Sequence, residues 1–147
     1  MIILSWNCQG LGNLRAGTIL SHLVRGKALD ILFLMETKQT VEEMKTIQAN
    51  LHSESMLAVP CVCRAGGLAM MWKARVDLHV QTFSLNQIDA RIMNNSPTPW
   101  RLTGFYGRPK AHLKHESWEL LRHLNSKYSM SWLCVGDYNE ILSSDEK

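Results

Sequence analysis

Two polar residues near the end of the chain, Asp137 and Asn139, follow an apolar run that begins at Trp132. A hydrophobic run that ends on Gly136 is typical of a buried strand, so both side chains are expected at its carboxyl end. Residues two apart on an extended chain point the same way, so the carboxylate and the carboxamide would share one site. α/β sheets place their chemistry at this end of their strands.

Three more polar residues stand where other predicted strands end, namely Asn7, Glu36 and Tyr106. The chain opens with a strand–helix–strand pattern, which makes its strands parallel neighbours whose carboxyl ends would converge on one cleft. Glu36 and Asp137 would then supply hard oxygen ligands. Mg²⁺ suits such a pair because it takes one or two protein carboxylates, keeps water and completes its shell with substrate phosphate. Mn²⁺ is the second candidate.

Each of these residues, taken singly, also has a structural explanation. Asn7 before a glycine-rich loop is a common turn former, and Glu36 could be a solvated strand cap. Tyr106 could be an aromatic residue of an edge strand, and Asp137 with Asn139 could form an Asx turn. Their joint occurrence at strand ends favours a functional site.

The elements that must hold these residues begin with a strand over 1–6 and a helix whose apolar residues recur at helical spacing. An apolar strand over 30–35 completes the opening strand–helix–strand unit. A second helix follows, and Thr40 with Glu43 forms a capping box at its start. This pattern predicts an α/β protein.

Beyond residue 55 the hydrophobic pattern changes from helical to extended. Strands are predicted over 56–63, 68–73, 76–83, 88–93 and 101–106. A last helix over 115–127 would turn Trp118, Leu121 and Leu124 inward. Alternation of apolar and polar residues in the central strands indicates that each has one solvated face.

The composition is that of a globular protein, with 147 residues, 46% hydrophobic and 20% charged. This length predicts one domain spanning 1–147. The net charge is +3, and residues 60–115 contain eight basic side chains against two acidic ones. Such a bias favours a polyanionic partner, although a solvated strand face would give the same count.

The four cysteines, Cys8, Cys61, Cys63 and Cys134, lack the spacing of a disulfide framework, so we expect them reduced in an intracellular protein. A zinc site at Cys61 and Cys63 is the sharper alternative, but the usual C-x2-C knuckle is missing. The start of the chain is too short for an export signal, and no run reaches the roughly 18 apolar residues of a membrane span. We therefore expect neither secretion nor a membrane partner.

Five ordered blocks of sequence resemble the endonuclease/exonuclease/phosphatase superfamily, which includes AP endonucleases and pancreatic deoxyribonuclease. The blocks are Ser-Trp-Asn-Cys-Gln-Gly-Leu at 5–11, Asp-Ile-Leu-Phe-Leu-Met-Glu-Thr-Lys at 30–38, Gly-Gly-Leu-Ala at 66–69, Gly-Phe-Tyr-Gly at 104–107 and Gly-Asp-Tyr-Asn at 136–139. They are most similar to the endonuclease domains of plant LINE-type (non-LTR) retrotransposons, whose reading frames also carry a reverse transcriptase.

The resemblance implies the amino-terminal part of a four-layer α/β sandwich, with two packed mixed sheets and outer helices. It also implies divalent-metal-dependent cleavage of phosphodiesters, with DNA or another phosphodiester as the substrate. A nucleic-acid substrate would allow a nuclear location. Carried over by position, Glu36 would bind the metal and Asn7 would help place metal or phosphate. Tyr106 would contact the scissile phosphate, and Asp137 would orient and deprotonate the attacking water. Asn139 would hold a phosphate oxygen or the Asp137 side chain, and the basic residues would track the nucleic-acid backbone.

One motif of that family has no counterpart in this sequence, a final Asp-His pair whose histidine stabilises charge on phosphate. The histidines, which lie in other contexts, are His22, His52, His79, His112, His115 and His123. We therefore expect 1–147 to be an incomplete domain whose cleavage is impaired by about 10²- to 10⁴-fold, the size of a general acid–base term. The alternative is a non-catalytic retroelement relic that binds nucleic acid weakly. A phosphatase of small or lipid phosphates shares the core residues but fits the motifs at 66–72 and 115–121 less well.

Overall fold

The computed structural model describes residues 1–140, which form eight strands, three α-helices and a 3₁₀ turn at Ala111–Leu113. The strands are β1 (Ile3–Asn7), β2 (Ile31–Met35), β3 (Ser55–Val59), β4 (Leu68–Trp72), β5 (Leu78–Phe83), β6 (Gln87–Ile92), β7 (Trp100–Tyr106) and β8 (Trp132–Asp137). The helices are α1 (Leu14–Lys27), α2 (Val41–Asn50) and α3 (Lys114–Lys127).

The strands form two mixed sheets of four. The first has the order β1-β2-β4-β3, in which β1 and β2 are parallel and the other neighbours antiparallel. The second has the order β5-β6-β7-β8, in which β7 and β8 are parallel. The sheets pack face to face, with helices against their outer faces, so the predicted α/β sandwich is confirmed.

Strand β2 shows why an unbroken apolar run is needed at the centre of the first sheet. Its residues alternate between two hydrophobic clusters, with Phe33 in the core between the sheets and Leu34 under the outer helices. Leu20 of α1 and Met44 of α2 complete that outer cluster. Each such side chain contributes about 1.5–3 kcal/mol on burial, so both faces of β2 stabilise the sandwich.

The two sheets approach closely where Gly104 of β7 faces Phe33 of β2. A Cβ atom at Gly104 would overlap the Phe33 ring, so only glycine leaves room for the ring at this point. The close approach brings the carboxyl ends of β2 and β7 towards the same edge of the sandwich.

Two expectations about individual elements were wrong. Strand β3 ends at Val59 instead of residue 63, because Pro60 lacks an N–H and Cys63 has a left-handed backbone with φ 49°. The side chain of Trp118 is 38% exposed and donates its indole N–H to Glu140, so it does not face the core. The Thr40 cap of α2 is confirmed, since its hydroxyl accepts the Glu43 N–H at 3.2 Å.

The basic bias of the middle of the chain overstates its free surface charge, because Arg101 is buried. Its guanidinium donates to Asp89 Oδ2 at 3.1 Å and to the Leu124 carbonyl at 2.7 Å. The same group lies 5.0 Å from the ring centroids of Tyr128 and Trp132. Arg101 therefore attaches α3 to the second sheet and is not available to a nucleic acid.

In residues 1–140, none of the helices has the length and apolar character that crossing a bilayer would need.

Candidate active site

The structure brings the predicted polar residues together at one edge of the sandwich. Asn7 and Glu36 come from the ends of β1 and β2, and Tyr106 and Asp137 from the ends of β7 and β8. Each pair of strands is parallel, as expected, but the two pairs belong to different sheets. The cluster therefore arises from the packing of two sheets and not from neighbours in one sheet.

The side chain of Asn7 bridges the two carboxylates of the cluster. Its Nδ2 donates to Glu36 Oε1 at 3.2 Å and to Asp137 Oδ2 at 3.1 Å. Its Oδ1 accepts the backbone N–H of Gln9 at 3.2 Å, which fixes which end of the amide faces the carboxylates. Two like charges are thus held close together by a shared donor.

The hydroxyl of Tyr106 donates to Glu36 Oε1 at 2.5 Å. Burial, followed by the hydrogen bond and charge of Glu36, raises the pKa of Tyr106 well above its ordinary value of 10.0, so the phenol stays protonated. The backbone of Tyr106 is held by Asn86, which donates from Nδ2 to the Tyr106 carbonyl and accepts the Tyr106 N–H, both at 2.8 Å. Tyr106 is thus a fixed and neutral hydrogen-bond donor.

Asn139 does not continue β8 as an extended residue, and with Asp137 it forms the Asx turn that was the structural alternative. Its backbone N–H donates to Asp137 Oδ1 at 2.9 Å, and its side-chain Nδ2 donates to the Gly107 carbonyl at 2.7 Å. Its backbone is left-handed with φ 52°, which asparagine tolerates better than most residues. The carboxylate of Asp137 is therefore fixed by one donor on each oxygen, Asn7 and Asn139.

Glu36 has a left-handed backbone, with φ 51°. This conformation costs a non-glycine residue about 1–3 kcal/mol and is often found at functional sites. Neighbouring loops hold it in place, since the Glu36 carbonyl accepts the Gly10 N–H at 2.7 Å and the next residue, Thr37, donates to the Gly67 carbonyl at 3.1 Å. The loops after β1, β2 and β3 are thus hydrogen-bonded to one another behind the cluster.

Three residues that support the cluster are not among the predicted site residues, although Gln9 and Met35 lie within the blocks at 5–11 and 30–38. Gln9 and Asn86 act through the hydrogen bonds given above, and Met35 accepts the backbone N–H of Asp137 on its sulfur. Asn86 carries a weak signal, since asparagine between two strands indicates a turn. Nothing in the sequence distinguishes Met35 from an ordinary core methionine.

The donor set of the cluster fits a hard divalent cation. It offers the carboxylates of Glu36 and Asp137 beside the amide of Asn7, and Mg²⁺ binds one or two protein carboxylates while keeping its water. Within residues 1–140 there is no group of three or more His, Cys, Asp or Glu side chains that could hold a metal. Zinc prefers nitrogen and sulfur ligands, which Glu36 and Asp137 do not offer.

A depression of about 490 Å³ lies beside the cluster, on the side of the first sheet. Gln9, Lys38, Gln39, Glu43 and Arg64 line it together with the glycines of the β1–α1 loop. Lys38 and Arg64 are both exposed and stand on loops that leave the same edge of the sandwich as Glu36. The depression is therefore lined by two exposed basic side chains and by one exposed carboxylate, that of Glu43.

Comparison with known proteins gives a family but no curated sequence relative. The family model described as "Endonuclease/Exonuclease/phosphatase family" matches residues 4–147, which is nearly the whole chain. No curated protein matches the sequence significantly.

Several solved structures share the fold at low sequence identity. An AP endonuclease from Archaeoglobus fulgidus superposes with a TM-score of 0.74 at 16% identity, over 98% of this chain and 60% of that one. TDP2 of D. rerio complexed with a single-strand DNA product superposes with a TM-score of 0.69 at 17% identity, over 95% of this chain and 60% of that one. The 3′ phosphatase NExo from Neisseria bound to a product DNA hairpin superposes with a TM-score of 0.66 at 19% identity, over 97% of this chain and 59% of that one. The chain thus spans about three fifths of the length of these proteins, and the likeness is one of fold.

Proposed function

The chain belongs to the endonuclease/exonuclease/phosphatase family, and from this premise we propose that it is a divalent-metal-dependent phosphodiesterase that acts on DNA. The observation that carries the proposal is the cluster in which Asn7 bridges Glu36 and Asp137 while Tyr106 donates to Glu36. Phosphodiester cleavage needs little covalent chemistry from the protein, but it needs charge neutralisation and exact placement of the attacking water. A rigid cluster of carboxylates and neutral donors is suited to both tasks.

Each residue has a proposed role that the family resemblance suggests and that its chemistry can perform. Glu36 would hold the cation, with Asn7 orienting the Glu36 carboxylate through its Nδ2 hydrogen bond, and a bound cation would supply positive charge against the phosphate oxygens. Asp137 orients the attacking water and accepts its proton, with Asn139 fixing the carboxylate. Tyr106, whose hydroxyl stays protonated, would turn its single O–H from Glu36 to an oxygen of the scissile phosphate when substrate binds.

The finer parts of the proposal concern the ion, the substrate and the lineage. We expect Mg²⁺ as the ion, with Mn²⁺ as its substitute, because both accept carboxylate and water ligands. DNA is favoured over other phosphodiesters by the exposed Lys38 and Arg64 beside the cluster, and the location would then be the nucleus. The motifs at 66–72 and 115–121 favour an endonuclease of the plant LINE type, whose relatives are fused to a reverse transcriptase.

We further propose that cleavage by this chain is slow. The six histidines lie on α1, after α2, on β5, in the 3₁₀ turn and on α3, and within residues 1–140 none is hydrogen-bonded to the cluster. Without an imidazolium to stabilise charge on the phosphate, the rate would fall by about 10²- to 10⁴-fold. The second candidate function, weak binding of nucleic acid without cleavage, follows if that loss is complete.

Nicking of supercoiled plasmid tests the proposal directly. We expect slow nicking with Mg²⁺ or Mn²⁺, no nicking with a chelator, and its loss in Glu36→Ala. Glu42→Ala is the matched control, because Glu42 is an exposed glutamate in the first turn of α2. Retardation of DNA by a folded protein that does not nick would favour the binding function, and the absence of both would contradict the proposal.

A further inference from the structure

The carboxylate of Glu140 lies between two side chains from the start of α3. Its Oε1 is 2.5 Å from Lys114 Nζ, and its Oε2 accepts the Trp118 indole N–H at 3.3 Å. The hydrogen bond from Lys114, followed by that from Trp118, lowers the pKa of Glu140 below its ordinary value. Glu140 directly follows Asn139, so these contacts hold the loop that carries Asp137 and Asn139.

The loop after β7 is attached to the same helical turn from its other side. The backbone N–H of Arg108 donates to the Ser117 hydroxyl at 2.7 Å, and Nε of the Arg108 side chain lies 3.2 Å from Glu116 Oε2. Ser117 is buried under this loop. Tyr106 stands two positions before Arg108, so the start of α3 also holds the loop that carries the tyrosine.

The two loops are in turn joined to each other. The Gly107 N–H donates to the Asp137 carbonyl at 2.8 Å, and Asn139 Nδ2 donates to the Gly107 carbonyl at 2.7 Å. The first two turns of α3 therefore contact both loops through side chains.

We propose that Glu140, held by Lys114 and Trp118, is a positioning residue that sets the place of Asp137 and Asn139 through the loop they share. The proposal rests on the proposed function for its catalytic consequence. Asp137 is the last paired residue of β8, but one oxygen of its carboxylate accepts the backbone N–H of Asn139, which lies beyond the sheet with a left-handed backbone. Glu140 can therefore act on the Asp137 carboxylate through Asn139. Displacement of a reacting group by about 1 Å can slow a reaction by about 100-fold.

A positioning role predicts that loss of the contact lowers the rate of cleavage without lowering the stability of the fold. Ion pairs that stay in contact with solvent contribute little to folding, and the Lys114 and Glu140 side chains are 33% and 26% exposed. Breaking this pair should therefore leave the melting temperature and the affinity for DNA nearly unchanged. The rate of cleavage, which depends on where Asp137 points, should fall. A residue that serves only the fold would instead change the melting temperature without a selective effect on rate.

The test compares Glu140→Gln and Lys114→Met with the unaltered protein. We expect the single-turnover rate constant at saturating DNA to fall about tenfold in both, with the dissociation constant for DNA unchanged and Lys114→Arg close to the original rate. The matched control is Lys45→Met, which breaks an exposed Lys–Glu pair on α2 away from the cluster.

A second readout does not require catalysis. The Asn139 backbone N–H is bonded to Asp137 Oδ1, so its hydrogen exchange, followed by NMR, should accelerate about threefold to fivefold in Glu140→Gln but not in Lys45→Met. If the unaltered protein does not cleave DNA, this acceleration still supports the positioning role of Glu140 while the proposed function fails. Unchanged exchange and unchanged rate, or loss of folding in both Glu140→Gln and Lys114→Met, would overturn the positioning role.

Discussion

The thioether sulfur of Met35 lies 3.2 Å from the backbone nitrogen of Asp137 and accepts its hydrogen bond. Met35 ends β2 in the first sheet, and Asp137 ends β8 in the second, so this bond joins the two sheets directly beneath the cluster. Met35 is only 2% exposed, and the residue after it is Glu36. One buried side chain thus links the positions of the two carboxylates.

Replacement of Met35 by leucine should therefore be more harmful than an ordinary core substitution. Leucine has a similar volume, but it leaves the Asp137 N–H without its sulfur acceptor, which costs about 1 kcal/mol beyond the packing change. Met70→Leu is the control, since Met70 is buried in the same core. Urea unfolding and nicking should both be worse for Met35→Leu, and equal effects of the two variants would contradict the role of the sulfur.

Removal of divalent cation should lower thermal stability through the carboxylates. Binding to the folded state alone, at ten times the dissociation constant, adds about 1.4 kcal/mol, which raises the melting temperature of a chain of this size by about 3–6 °C. Calorimetry with Mg²⁺ and with chelator should show this shift in the unaltered protein and in Glu42→Ala, but not in Glu36→Ala. A shift that survives in Glu36→Ala would exclude Glu36 as a ligand.

The buried phenols predict a loss of stability at alkaline pH. Burial, and then neighbouring groups, raises the pKa of Tyr106 and of Tyr138 above the ordinary value of 10.0. Their contribution is complete below about pH 10 and declines as pH rises further, because the unfolded phenols ionise first. In urea unfolding between pH 9 and 11, Tyr106→Phe should flatten this decline by at most ~1.4 kcal/mol per pH unit. Parallel curves for the two proteins would contradict the assignment.

The buried pair of Arg101 and Asp89 should dominate the stability of the second sheet. Arg101→Ala leaves the Asp89 carboxylate buried without its cation and should lower the free energy of unfolding by about 3–5 kcal/mol. Arg91→Ala, at the exposed residue opposite Arg101 in the β6–β7 register, should change it by less than about 0.5 kcal/mol. Replacing both Arg101 and Asp89 by apolar residues should recover much of the loss, as measured by urea unfolding.

The sequence predicts the strand ends well because each apolar run stops at a polar residue. Glu36 follows the buried β2, and Asp137 ends β8, so local hydrophobicity is enough to find them. Hydrophobic periodicity does not show which strands pair. It therefore could not predict that β1 and β2 lie in one sheet while β7 and β8 lie in the other.

The errors and omissions share a physical cause, which is contact between distant parts of the chain. Trp118 has the spacing of a core residue, but Glu140 offers its indole a partner outside the core. The sequence gives Arg101 as one of the basic surface residues, but in the structure it is buried and hydrogen-bonded to Asp89 and to the Leu124 carbonyl. Met35 has the pattern of an ordinary core residue, and only the structure shows that its sulfur accepts the Asp137 N–H.

The bond between Asn7 and Asp137 joins side chains 130 positions apart in the chain. Hairpins and helices close short loops and form early in folding, whereas contacts of such separation form only after much of the chain is ordered. During refolding, the helices and both sheets should therefore appear before the two carboxylates meet. The capacity to hold a cation would then be the last property that the folding chain acquires. The time at which cation binding recovers would show when β1 docks against β8.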